Sequence, residues 1–299
     1  MILLDGKATA AVVKEQIRNK VEEMVANGES RPHLVAIIVG QDGASKTYVK
    51  NKELACNAVG FKSTVLKFPD TISEETLLEE IDKLNNDDSV DGFIVQLPLP
   101  NHIDDSKIVN SISMYKDVDG FNPVNVGKLM LGEDTFVSAT PKGIITLLEH
   151  YKIPTAGKYC VVLGRSNNVG RPMANLLSQK SSHGDCTVTI CHSRTTNIAE
   201  LTRQADIVIA ALGVPNFLTA DMIKDGATVI DVGITRVPSS NSKKGYRLVG
   251  DVDFDNVAAK CSYISPVPGG VGPMTIVSLM QNTFKARQIN KARIAARKK

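Results

Sequence analysis

A chain of 299 residues, 42% hydrophobic and 22% charged with a formal net charge of +3, is long enough for two domains with separate cores. So near-neutral a balance provides no strong field for nucleic acid or an anionic membrane, and the basic run KARQINKARIAARKK reads as a solvated helix end with a frayed tail. The apolar run in MILLDGK is too short for a signal peptide and no later stretch approaches a membrane span, so a soluble, cytoplasmic protein is expected.

Val13, Ile17, Val21 and Met24 recur at spacings of four and three, which predicts an amphipathic helix ended by Gly28. A strand over Leu34 to Val39 follows, then a helix over Ala44 to Val59 closed by Gly60, and a strand over Phe61 to Phe68. Ser73 is placed to cap a third helix whose apolar face is Leu77, Leu78, Ile81 and Leu84, and Gly92 to Leu97 is a third strand. This alternation predicts an α/β domain over 1–120 around a mainly parallel sheet. From Asp117 to Gly132 the chain is rich in Gly, Asn, Asp and Pro, so 121–139 reads as the interdomain crossing. Thr140 and Pro141 start a helix, and strands at Cys160–Leu163, Thr187–Cys191, Ile207–Ala211 and Thr228–Val232 make 140–273 a second α/β domain. The polar VPSSNSKKGY segment within 236–250 reads as a surface hairpin or loop. A long helix from Met274 follows the PVPGGVGP knot and is expected to complete the first domain. The fold class is thus α/β, two domains with mainly parallel sheets, the second Rossmann-like, with a cleft between them.

Five cysteines, Cys56, Cys160, Cys186, Cys191 and Cys261, are odd in number and mostly inside apolar runs, so they read as reduced core residues. The sequence has neither Cys-x-x-Cys nor a His pair at ligand spacing, and no metal is expected.

GKYCVVLGRSNNVGRP, residues 157–172, has the form of a buried strand, a tight turn and a helix start. Gly164 ends the strand, and Pro172 suits a first helical turn because its missing N–H has no intrahelical partner there. The free N–H groups of such a helix start suit a phosphate. Ser166 stands where the dinucleotide fingerprint has its second glycine, so the cofactor sits slightly off or is gripped by Arg165 and the Ser166 hydroxyl. By itself the turn is also compatible with an ordinary strand-to-helix connection. The next strand ends in Cys191, His192, Ser193, Arg194 without the carboxylate that binds the ribose of NAD, and Arg165 with Arg194 favours the 2′-phosphate of NADP.

Tyr48 and Lys52 stand four apart on a predicted helix and leave the same face. The spacing also suits a chance pair on the surface. Gln96, however, interrupts the apolar strand end FIVQLPLP, where a buried amide needs partners, and Asp117 and Asp119 lie in KDVDGFNP directly after the first domain. All could converge on one cleft.

Taken with YVKNKELACNAVGF, GFIVQLPLP, KDVDGFNPVNVGKL, GRSNNVGRPMANLL and PVPGGVGPMTIVSLMQNT in that order, the chain resembles the bifunctional methylenetetrahydrofolate dehydrogenase/methenyltetrahydrofolate cyclohydrolases over almost its whole length. It departs from the family at Ser138 and Ala139, where Pro-Cys is usual, and at Asn168, where Ile or Val is usual. The resemblance implies that Lys52 is catalytic, Tyr48 stacks on the folate, Gln96 hydrogen-bonds Lys52 and Asp119 holds the pterin. It also implies NADP on Gly164, Arg165, Ser166 and Ser193 with Ile234 near the nicotinamide, and Pro268, Gly269 and Gly270 on the folate side. The implied partners are one-carbon derivatives of tetrahydrofolate, and the implied assembly is a homodimer. A dehydrogenase without cyclohydrolase activity, and a non-catalytic dinucleotide-binding regulator, are the alternatives.

Overall fold

The computed structural model describes residues 1–40, 43–239 and 245–297, with residues 43–48 described as helical backbone alone. The chain divides into two compact units, Met1–Ala10 with Thr140–Thr275, and Ala11–Ala139 with Ile276–Lys299. The first half of the chain forms β1 (Ile2–Leu3), α1 (Gly6–Ala26), β2 (His33–Val39), α2 (Gly43–Ala58), β3 (Lys62–Phe68), α3 (Glu74–Asn86), β4 (Gly92–Val95), α4 (Asp105–Ser111) and α5 (Pro123–Leu131). The second half forms α6 (Ala139–His150), β5 (Tyr159–Leu163), α7 (Gly170–Ser178), β6 (Thr187–Cys191), α8 (Ile198–Gln204), β7 (Ile207–Ala210), β8 (Thr228–Asp231), β9 (Thr235–Pro238), β10 (Tyr246–Val249), α9 (Phe254–Val257), β11 (Tyr263–Ile264) and α10 (Val271–Arg297).

In the unit built on Ala11–Ala139, β3, β2 and β4 form a parallel sheet in that order. HLVAIIV is buried at every position because β2 is the central strand, whereas β3 at the edge is only partly buried. Leu77, Ile81 and Leu84 of α3 pack with Val35, Ile37 and Phe93 in one core. Ser73 caps α3 by accepting the Thr76 N–H at 3.2 Å, worth about 1 kcal/mol. At the other end of α3, buried Lys116 donates from Nζ to the carbonyls of Leu84 (2.7 Å) and Asp87 (2.6 Å), a cation where the helix dipole favours one.

Residues 121–139 are not a bare crossing. They contain α5, which starts at the Asn122 cap and Pro123 and stops at left-handed Gly132, and they belong to this same unit. The density of Asn, Pro and Gly that suggested a linker is the capping chemistry of a short helix. Asp117 fastens it by accepting from Phe121 N (3.2 Å), Asn122 N (2.8 Å) and Asn125 Nδ2 (2.8 Å). Asn282 of α10 donates to the carbonyls of Val118 and Val137, both at 2.8 Å, tying the end of the chain to this unit.

The other unit holds a six-stranded, all-parallel sheet in the order β1-β11-β8-β7-β5-β6. Here residues 1–10 depart from the expected first domain, because β1 pairs with β11 through Ile2↔Tyr263 and Leu3↔Ile264. Two residues are too short a strand to carry an alternation signal. β9 and β10 pair antiparallel over 235–249, where a hairpin or loop is expected; residues 240–244 lie outside the described residues. α10 begins at Val271, three residues before the expected Met274. Among the described residues no helix is long and apolar enough to cross a membrane.

Candidate active site

The end of β5 is shaped by two glycines that cannot be replaced without a collision. Gly164 has φ +116°, and a Cβ there would lie 2.2 Å from the Ala211 carbonyl oxygen; a Cβ on Gly170 would lie 2.2 Å from the Gly164 oxygen. The backbone therefore packs closely on itself and on the end of β7 in passing from strand to helix, the strand-turn-helix form in which a dinucleotide phosphate is bound. Ser166 does not primarily reach outward: its Oγ accepts the N–H groups of Val169 (3.2 Å) and Gly170 (3.3 Å). The hydroxyl thus caps α7 in place of a missing N-cap side chain, which explains why serine is tolerated where glycine is usual. Asn168 lies exposed in the same turn.

Parallel register brings the second strand tip alongside. Leu163 pairs with Cys191, and Gly164 N donates to the Cys191 carbonyl at 2.8 Å. Arg165 and Ser166 after β5 are therefore neighbours of Ser193 and Arg194 after β6, and all four are exposed. His192 makes the tip a tight turn, with its N–H donating to Thr195 Oγ1 and its Nδ1 accepting from Arg194 N. Ile234 follows β8, two strands away from β5 on the same sheet end, and is 56% exposed despite being aliphatic.

In the other unit, Lys52 of α2 is buried, and its Nζ donates to Gln96 Oε1 at 3.4 Å. Gln96 is held where β4 stops, its N–H donating to the Ile37 carbonyl (2.9 Å) and its Nε2 to the Leu97 carbonyl (2.8 Å). A strand-like stretch beside β4, marked by the Phe93↔Asp117 bridge, delivers Asp119 to the same place. Desolvation pushes the Lys52 pKa down and the Asp119 carboxyl up, each opposed by the charge of the other. Lys52, Gln96 and Asp119 are thus one electrostatic group. Tyr48 lies one turn before Lys52 on α2, and its side chain is outside the described residues.

KDVDG divides its labour. Lys116 caps α3, Asp117 holds the turn into α5, and Asp119 alone of the three has no hydrogen-bond partner among the described residues. Pro268, Gly269 and Gly270 belong to the unit of the six-stranded sheet, where the Gly269 carbonyl accepts from Lys7 N at 3.1 Å. Two acids escaped the sequence reading: Asp231 at the end of β8 and Asp251 after β10, both buried. Their signal was available in VIDVG and GDVD, where an acid closes an apolar strand as Gln96 does in FIVQL. Among the described residues no group of three or more His, Cys, Asp or Glu is placed to hold a metal ion.

A glycine-lined strand-to-helix turn on a six-stranded parallel sheet, with a buried lysine–carboxylate group on a second α/β unit, defines a two-unit dinucleotide-dependent enzyme. Residues 4–119 match the catalytic domain, and residues 138–291 the NAD(P)-binding domain, of tetrahydrofolate dehydrogenase/cyclohydrolase. The chain is 60% identical over 284 residues to the bifunctional protein FolD of Porphyromonas gingivalis, covering 95% of this chain and 96% of that one. Among solved structures it is similar to the Campylobacter jejuni FolD dehydrogenase/cyclohydrolase (TM-score 0.91, 48% identity, 96% and 99% covered). It is also similar to the Trypanosoma brucei enzyme complexed with NADP and an inhibitor (TM-score 0.90, 38% identity, 96% and 97% covered). The chain belongs to the tetrahydrofolate dehydrogenase/cyclohydrolase family and is a bifunctional, NADP-binding enzyme of one-carbon folate metabolism.

Proposed function

We propose that Lys52 is the proton-handling residue of the hydrolytic step, and that Gln96 and Asp119 orient it and the folate. The observation that carries this is the buried Lys52 ammonium within hydrogen-bond reach of Gln96 and within the field of Asp119. 5,10-Methylenetetrahydrofolate gives up a hydride to become the methenyl cation, and NADP+ when bound supplies the acceptor. Hydride transfer asks the protein mainly for alignment. Hydrolysis of the cation to 10-formyltetrahydrofolate also asks for a base, because the attacking water must lose a proton. Desolvation enlarges the neutral fraction of Lys52, so its Nζ lone pair is available for that proton. Gln96 Oε1 accepts from Nζ and fixes where that lone pair points.

Asp119 has acceptor capacity to spare for the amino-pyrimidine edge of the pterin, a flat pair of donors that one carboxylate can accept together. Asp119→Asn keeps the shape and loses the charge, and tetrahydrofolate affinity should fall about tenfold with NADP+ affinity unchanged. Calorimetric titration with each ligand reads both, and unaltered tetrahydrofolate binding would count against the assignment.

The turn after β5, where close backbone packing excludes a Cβ at Gly164 and at Gly170, suits the pyrophosphate, and Arg165 and Arg194 suit the 2′-phosphate. Arg165→Ala should lower kcat/KM for NADP+ by about tenfold or more, since hydrogen bonds to charged groups contribute about 1.5–3 kcal/mol, and should change NAD+ turnover far less. Equal losses with the two cofactors would remove Arg165 from the phosphate site. Five buried, unbridged cysteines suit a reducing, cytoplasmic setting. The overall assignment is tested by following methenyltetrahydrofolate absorbance with and without NADP+: formation must need NADP+, and decay of added methenyltetrahydrofolate must not.

A further inference from the structure

Asp231 and Asp251 have no part in the chemistry above, yet both are buried in the six-stranded unit and held by backbone N–H groups. Asp231 Oδ1 accepts the N–H groups of Gly233 (3.0 Å) and Asp251 (2.9 Å), and Oδ2 accepts that of Val252 (3.1 Å). Asp251 Oδ2 in turn accepts from Leu212 N (2.6 Å) and Gly213 N (2.9 Å). Ser265, after β11, accepts from Asp231 N at 2.7 Å through its hydroxyl. Two carboxylates thus tie together the loop after β7, the loop after β8 and the segment after β10.

The frame is tight and strained in charge. A Cβ on Gly250 would lie 1.8 Å from Asp231 Oδ2, and one on Gly233 would lie 2.2 Å from Asp251 Oδ1. Asp251 Oδ1 is buried without a hydrogen-bond partner among the described residues. Two like charges buried side by side disfavour folding, so the local arrangement costs stability and points to a use elsewhere. The two fastened loops present Val214 and Ile234, which are 47% and 56% exposed. Both lie where the strands of a parallel α/β sheet end, the face on which such sheets bind their ligands.

We propose that Asp231 and Asp251 are positioning residues for the nicotinamide half of NADP+, setting the loops after β7 and β8 so that Val214 and Ile234 line the surface that receives the ring. Neither acid touches the cofactor; each acts through backbone N–H groups. This rests on reading the turn after β5 and the tip of β6 as the adenosine-phosphate side of the same site.

Burial, with the charge of Asp251 adding to it, raises the Asp231 carboxyl to about 6, and burial raises that of Asp251 as well. The groups facing Asp231 are the Asp251 carboxylate, the N–H groups of Gly233, Asp251 and Val252, and the Ser265 hydroxyl. A proton on Asp231 removes an acceptor from one of those N–H groups, so the loops should loosen as pH falls through that value.

The test is calorimetric binding of NADP+ and of 2′,5′-ADP, which carries the same 2′-phosphate and lacks the nicotinamide half. Asp231→Asn and Asp251→Ala should weaken NADP+ by about tenfold or more through a smaller population of receptive loops, and change 2′,5′-ADP by less than about twofold. Cyclohydrolase activity, which uses Lys52 in the other unit, reports that each variant is folded. Equal weakening of both ligands, or of neither, in a folded variant would overturn the proposal. Should the variants not fold, the wild-type enzyme decides. 2′,5′-ADP carries two phosphomonoesters that titrate near pH 6 and NADP+ only the one at the 2′ position, so the comparison ligand here is 2′-phospho-ADP-ribose, which keeps the 2′-phosphate and the pyrophosphate and lacks only the nicotinamide. NADP+ must lose more affinity than it between about pH 7.5 and 5.5, and identical slopes would refute the idea. If Arg165→Ala leaves 2′,5′-ADP binding intact, the underlying site reading fails; if it weakens 2′,5′-ADP while the Asp variants do nothing, only this proposal fails.

Discussion

Lys52→Met should abolish most of the hydrolysis of methenyltetrahydrofolate, by about 10² to 10⁴ in rate, the range for losing a positioned proton-transfer group. The substitution keeps the apolar stem that α2 buries and removes only the amine, so the loss is of chemistry and not of packing. Dehydrogenase activity should fall less, because hydride transfer depends on alignment, and the variant should release the methenyl intermediate it can no longer consume. Wild-type hydrolysis should rise with pH as Lys52 gives up its proton, with the midpoint below the ordinary lysine value because desolvation lowers it. Sign and cause are linked: the neutral amine is the working base, and burial disfavours the charged form. Both half-reactions measured separately on the purified variant decide the matter. Hydrolysis persisting near the wild-type rate would show that another group handles the proton.

Gly164→Ala should have the second largest effect, and on the opposite activity. At φ +116° a side chain costs about 1–3 kcal/mol in backbone strain, and here its Cβ would also lie 2.2 Å from the Ala211 oxygen. The turn must shift, and with it the backbone that carries Arg165 and Ser166. NADP+ affinity and dehydrogenase kcat/KM should drop by roughly 100-fold, as the receptive loop becomes a minor conformation. Cyclohydrolase activity should survive, since Lys52, Gln96 and Asp119 lie in the other unit. Loss of both activities together would mean that the substitution unfolds the chain, and loss of neither would remove the turn from the cofactor site.

Much of the architecture was legible because burial leaves a local periodic trace. LVAIIV and CVVL read as strands from their unbroken apolar runs, and Leu77, Ile81 and Leu84 read as a helix face. Gly164 marked its turn from composition alone. The motifs of the proposed site also stood out, since Lys52, Gln96 and Asp119 each stand in a run whose order resembles the family. The short helices α4 and α8 left too few turns for a period to show, and α5 was hidden because its caps look like loop residues.

Nothing local distinguishes Asp117 from Asp119, two residues apart in KDVDG. Only the tertiary structure spends Asp117 on the backbone of α5, assigns Lys116 to the carbonyls of α3 and leaves Asp119 beside Lys52. Strand β1 likewise joined the far end of the chain, and Asp231 with Asp251 became a frame for two loops. The reason is the same in each case: hydrophobic period and turn chemistry are properties of neighbours in sequence. Which donors a buried carboxylate meets depends on N–H groups brought to it from loops up to 39 residues away, and that is decided by how the strands are ordered in the sheet.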